Sequence, residues 1–156
     1  MATNKKPRKK YRPKNNLLDP VGWLLEDMSV VYKEEQLRIL AINHNALAEL
    51  VQGRGTKDHW EIVIGALNTA IVLDEQCYES AYFEPLNAAL RAHCRCGVRK
   101  KKYGKFGYSG QDLAAVNYAL EIHDEQMKRA TFREIDKAIA ESMRRAKDPT
   151  RRISVE

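Results

Sequence analysis

His93, Cys94, Arg95 and Cys96 are the only place in the chain where potential metal ligands cluster. Structural zinc takes four nitrogen or sulfur ligands, often as cysteine pairs two to four residues apart. Here one residue separates Cys94 from Cys96, and Cys77 and His123 fall on other elements. On a helix the two thiols would also point in different directions. The sequence therefore predicts no metal and no cofactor, and reads Cys94 and Cys96 as half-buried thiols near a helix end. Three cysteines without an export signal argue against a disulfide framework.

The next candidates for chemistry are histidines beside carboxylates and amides. His44 lies between Asn43 and Asn45, and His123 precedes Asp124, with Asn117 two turns back. Interior polar groups must find hydrogen bonds. His44, His123 and Asp124 thus form either a binding or proton-transfer pair where two helices meet, or a polar contact that sets their packing register. Glu34 with Glu35, Asp74 with Glu75, and Glu121 with Asp124 and Glu125 have types suited to acid–base work or magnesium. At helical spacing they read as solvated faces. No nucleophile elbow, phosphate loop or HExxH motif is present. The expectation is a protein that is not an enzyme.

The sharper signal is cationic. Residues 5–14, "KKPRKKYRPK", hold seven cations (Lys5, Lys6, Arg8, Lys9, Lys10, Arg12 and Lys14) and no acid. Residues 85–111 hold seven more, again with no acid, and include Arg99, Lys100, Lys101, Lys102 and Lys105. The whole chain has 27 Lys and Arg, 21 Asp and Glu, and a net charge of +6, so what lies outside these segments is net acidic. In the second segment Tyr103, Phe106 and Tyr108 are interleaved with lysine and glycine. Lysines neutralise phosphates and exposed aromatics stack on bases, the pairing found in single-strand binders.

The elements that must position these residues are helical. Residues 1–16 are polar, charged and broken by proline, and cannot bury enough apolar surface to offset ordering entropy, so they read as a disordered basic arm. Asp19-Pro20 opens a short helix with Val21, Leu24, Leu25 and Met28. Leu37, Leu40, Ala41, Leu47, Leu50 and Val51 form the stripe of a second, closed by Gly53. Thr56 caps a third helix from about Lys57 towards Glu79, apolar over much of its circumference and hence central. Leu86, Ala89, Leu90 and His93 mark a fourth after Pro85, ending near Gly97 or running into the lysines. Residues 103–110 read as a loop. Ser109 with Asp112 starts a fifth helix, through Leu113, Val116, Leu120 and Met127. Thr131 with Glu134 makes a capping box for a sixth, with Ile135, Ala138, Ile139 and Met143. No segment alternates with period two. The fold expectation is all-α: a compact bundle of five or six helices at 17–149, the basic arm at 1–16, and a tail at 150–156.

The segments "KKPRKKYRPK", "NHNALAELVQGRGT" at 43–56, "ALNTAIVL" at 66–73 and "LEIHDEQM" at 120–127 resemble a family of small uncharacterised proteins from phages and prophages of Gram-negative bacteria. The resemblance implies a setting, the cytoplasm of a bacterial host during takeover, and transfers no catalytic residue. No apolar run reaches the ~18 residues that cross a membrane. The functional expectation is a phage accessory protein that binds nucleic acid or a nucleoprotein complex. Its contacts would be the arm residues above with Arg99 to Lys102, Tyr103, Lys105 and Phe106. The alternatives are an inhibitor or adaptor acting on a host defence or transcription component, and a minor virion or assembly protein.

Overall fold

The computed structural model describes residues 20–148 and 150, with side chains from residue 33 onward. The arm at 1–16 lies outside the described residues. Five helices follow one another: α1 (Pro20–Val51), α2 (Lys57–Cys77), α3 (Phe83–Tyr103), α4 (Gly110–Arg129) and α5 (Phe132–Ala146). No strand occurs among the described residues. The protein is an all-α bundle.

The two helices expected at the N-terminal side are one. α1 runs unbroken for 32 residues, about 48 Å at 1.5 Å per residue. Val30 and Val31 cost only a few tenths of a kcal/mol each in a helix, and no proline or turn dipeptide follows them before the good helix formers Lys33 to Gln36. Gly53 then ends the helix in the left-handed region at φ 77°, and the Arg54 amide donates to the Glu49 carbonyl at 3.0 Å. Gly55 is needed for space, because a Cβ there would fall 2.5 Å from Leu50 Cδ2.

α2 is the central helix, packing against each of the other four, while α3 packs on α4 and α1 also touches α4. Val63, Leu67, Ala70, Val72 and Leu73 are all buried, so burial extends around much of its circumference. Leu67 of α2 and Leu120 of α4 are fully buried in one cluster with Leu50, Leu86 and Val116. A second cluster joins Leu40, Val72, Leu73 and Met127 to Ile135 and Ala138 of α5.

Some stripe residues are not core. Leu37 is 64% exposed and Val51 47%, because α1 turns Leu40, Asn43, Ala46, Leu47 and Leu50 inward. In α5, Met143 is 58% exposed and Ile139 38%, while Ile135, Ala138 and Ser142 face α2. Both helices lie at the edge of the bundle, where only a narrow strip can be covered.

α3 begins at Phe83, before Pro85, which sits in the first turn where no helical partner for its nitrogen is required. It does not stop at Gly97. It runs through the lysines to Tyr103 and ends at Gly104, φ 76°. Gly97 is instead a packing glycine, since a Cβ there would meet the Trp60 ring at 3.1 Å. The expected caps at Thr56, Ser109 and Thr131 all form, with His59 completing the box at Thr56 and Glu134 that at Thr131.

Candidate nucleic-acid interface

The last two turns of α3 and the segment 104–109 form one platform, held from below by a buried carboxylate. Asp112, in the first turn of α4, is 5% exposed. Its Oδ1 accepts from Arg95 Nη2 at 2.5 Å and its Oδ2 from Arg99 Nη1 at 3.1 Å. Arg99 also donates to the Gly107 carbonyl at 3.0 Å. The Arg95 hydrogen bond holds the Asp112 carboxyl below the usual carboxylate range despite its burial, with Arg99 and Ser109 adding to the effect. Two charge-assisted contacts thus tie α3 to α4 across the basic segment.

A second tie runs through His93, which is fully buried. Its Nε2 lies 2.8 Å from the Trp60 carbonyl, an oxygen that can only accept, so Nε2 carries the proton. Nδ1 is then the acceptor for the Tyr108 hydroxyl at 2.6 Å. Trp60 Nε1 donates to the His93 carbonyl at 3.1 Å, and the two rings stack with centroids 5.0 Å apart. Burial pushes the His93 pKa down to about 4, so it is neutral at pH 7. Burial likewise pushes the Tyr108 hydroxyl and the Cys94 and Cys96 thiols up.

The expected contact residues on this platform divide into two groups. Arg99 is engaged below it. Phe106 is half-buried against the core, with Lys100 Nζ 5.4 Å from its ring centroid. Lys100 also caps the helix by donating to the Gly104 carbonyl at 2.8 Å. Tyr103 is 67% exposed, with Lys102 Nζ 5.1 Å from its ring centroid. Lys100, Lys101, Lys102 and Lys105 are all exposed. None of the four joins an ion pair among the described residues. Lys5, Lys6, Arg8, Lys9, Lys10, Arg12 and Lys14 lie outside the described residues.

A polar contact links α1 and α4 through His44 and Asp124. His44 Nε2 meets Asp124 Oδ2 at 2.8 Å across α1 and α4. His123 is 2% exposed, and its Nδ1 has no hydrogen-bond partner. Burial drives its pKa down to about 4, with Asp124 opposing the shift and His44 adding to it. His44 therefore pairs with the carboxylate next to His123 rather than with His123. Asn117 is exposed. Among the described residues no group of three or more His, Cys, Asp or Glu side chains could hold a metal ion, and no helix is long and apolar enough to cross a membrane.

Asp112 and the Trp60–His93–Tyr108 unit were not expected as supports of the basic segment. His93 falls in register with Leu86, Ala89 and Leu90, which marks it as inward-facing, but its partners come from two other elements. No protein-family model matches the chain, and no curated protein and no solved structure shows significant similarity to it.

Proposed function

We propose that the protein is a non-enzymatic phage accessory protein that binds nucleic acid, or a nucleoprotein complex, through the end of α3 and the basic arm. The observation that carries this reading is a set of four exposed lysines, Lys100, Lys101 and Lys102 with exposed Tyr103 on a helix end anchored to Asp112, and Lys105 just past it. Cations presented on a rigid support lose less freedom on binding than cations on a free chain. Lysines in a last turn also oppose the helix dipole, for about 0.3–1 kcal/mol each. Lys105 lies past the helix and gains nothing from that effect, so helix stability does not account for the whole cluster.

Lys101, Lys102 and Lys105 take the role of phosphate contacts in this reading, and Tyr103 that of the stacking platform. Arg99 and Phe106 act as supports. The arm at 5–14 supplies a second, separate set of cations.

The test is binding of a labelled single strand and a labelled duplex across a salt series, by the full chain and by a chain lacking residues 1–16. Full-length protein should bind both, with log affinity falling linearly in log salt by about 0.9 per phosphate contact on duplex and about 0.7 on single strands. The truncated chain should bind more weakly with a shallower slope. Absence of binding by the full chain at low salt would end this reading. Recovery of a nuclease-resistant host protein in a pull-down would then favour the inhibitor alternative.

A further inference from the structure

The cationic surface does not end at the platform. Arg91, Arg95, Val98 and Lys102 of α3 follow one another at steps of four, three and four residues, which sets them in one row along the helix. The row is about 17 Å long at 1.5 Å per residue. Arg91, Val98 and Lys102 are exposed, and the Arg95 side chain is 42% exposed. Ala88 and Glu84 continue the row towards the start of α3, so an acid closes it at that end.

The two arginines of the row are held differently. Arg95 donates from Nη2 to Asp112 Oδ1, which uses one of the five N–H donors of its guanidinium. Asp112 is shared with Arg99, so one carboxylate cancels only one of the two charges. Arg95 is therefore a positioned cation with donors to spare. Arg91 joins no ion pair among the described residues. It lies in mid-helix, where the helix dipole adds nothing.

Composition limits what this row could read. From Ala88 to Tyr103 the helix contains no Ser, Thr, Asn, Gln, Asp or Glu. Cations contact phosphates and set register, whereas amide, hydroxyl and carboxylate side chains supply much of the reading of base edges and 2′-hydroxyls. One row of charge along a helix matches one sugar-phosphate backbone, and a duplex presents two.

We propose that a single-stranded polynucleotide lies lengthwise along α3, from Tyr103 and Lys102 past Arg95 to Arg91, held by its backbone without regard to base sequence. Arg91 and Arg95 thereby join the contact residues, and Arg95 both anchors the helix end and faces the ligand. The track rests on the nucleic-acid reading of the platform and extends it by two to three turns of helix.

The test is salt-dependent binding of a labelled strand of about 12 nucleotides by the full chain, by Arg91→Gln and by Lys137→Gln. Lys137 is an exposed cation on α5, which packs against α2, and serves as the charge-matched control. Arg91→Gln should lower the log–log slope by about 0.7, the share of one phosphate contact on a single strand. It should weaken binding several-fold at low salt and leave the melting temperature unchanged. Lys137→Gln should keep the wild-type slope. DNA and RNA strands of one sequence, and strands of unrelated sequence, should bind within a few-fold of one another. A polyglutamate of equal charge should bind more weakly, because it offers no base to Tyr103.

An unchanged slope in Arg91→Gln, or an equal loss in Lys137→Gln, would overturn the track and leave the platform standing. A preference above about tenfold for one sequence or one sugar would overturn recognition by backbone alone. Equally tight binding of polyglutamate would overturn a polynucleotide as the occupant. Absence of binding by the full chain at low salt would remove the platform together with the track, so the two failures are told apart.

Discussion

Asp112 on α4 receives Arg95 of α3 at 2.5 Å, and the same carboxylate takes Arg99 one turn further along. Both arginines belong to a segment that carries no acid of its own. The charge that anchors the basic segment comes from the first residue beyond it.

Replacing Asp112 with Asn should therefore lower stability by roughly 1–3 kcal/mol, since it removes a buried charge partner from two arginines that can still turn to water. The pH dependence has a defined sign. The folded carboxyl is held below its ordinary value, so its contribution is present above the unfolded carboxylate range and is lost as pH falls through the lower folded value. Thermal melts of both chains should converge at acidic pH. Equal melting temperatures at pH 7 would show that Asp112 anchors nothing.

His93 and His123 act in a different window. Each is depressed to about 4 by burial, against an ordinary value of about 6.5. As pH falls from 6.5 towards 4 the unfolded chain takes up these protons first, so stability drops, by up to about 3 kcal/mol for each. His123→Leu is the informative variant. It replaces a ring whose Nδ1 has no partner, so it should be close to neutral at pH 7 and should flatten the loss between pH 6.5 and 4. An unchanged pH profile would contradict the assignment.

Gly97 lets Trp60 approach α3. A Cβ at 97 would meet the ring at 3.1 Å, so Gly97→Ala should displace Trp60, disturb its stack on His93, and cost roughly 1–3 kcal/mol. Gly104→Ala places a side chain at φ 76° in open space and should cost about 1 kcal/mol through backbone strain alone. A shift in tryptophan fluorescence for the first variant and none for the second would separate the two causes.

The caps show what a sequence displays directly. Thr131 with Glu134, Ser109 with the Asp112 amide, and Gly53 at φ 77° are settled within four residues, so local patterns find them. Leu37 and Met143 show what periodicity leaves open. A helical stripe is wider than the strip an edge helix buries, and which half is covered depends on the neighbour. The two apolar stripes at the N-terminal side read as separate helices, but nothing between them, Val30 and Val31 included, carries more than a small propensity cost. The support beneath the lysines was out of reach for a further reason. Asp112 is legible as a first-turn acid, and Tyr108 as a loop aromatic, but their bonds to Arg95 and His93 exist only once α2, α3 and α4 are assembled.

Tyr103 should discriminate between ligands. If bases stack on its exposed ring, Tyr103→Ala should weaken single-strand binding by about 1–3 kcal/mol and leave duplex binding nearly unchanged. Equal loss on both would assign Tyr103 no stacking role.

The most direct measurement is the salt dependence of single-strand binding by the triple variant Lys101→Gln, Lys102→Gln, Lys105→Gln with residues 1–16 intact. These lysines are exposed and unpaired among the described residues, so the melting temperature should stay nearly unchanged. Three lost phosphate contacts should reduce the log–log slope by about 2, at roughly 0.7 per contact, with weaker binding at every salt concentration. Wild-type affinity and slope in the triple variant would contradict the claim that the α3 platform is a nucleic-acid interface.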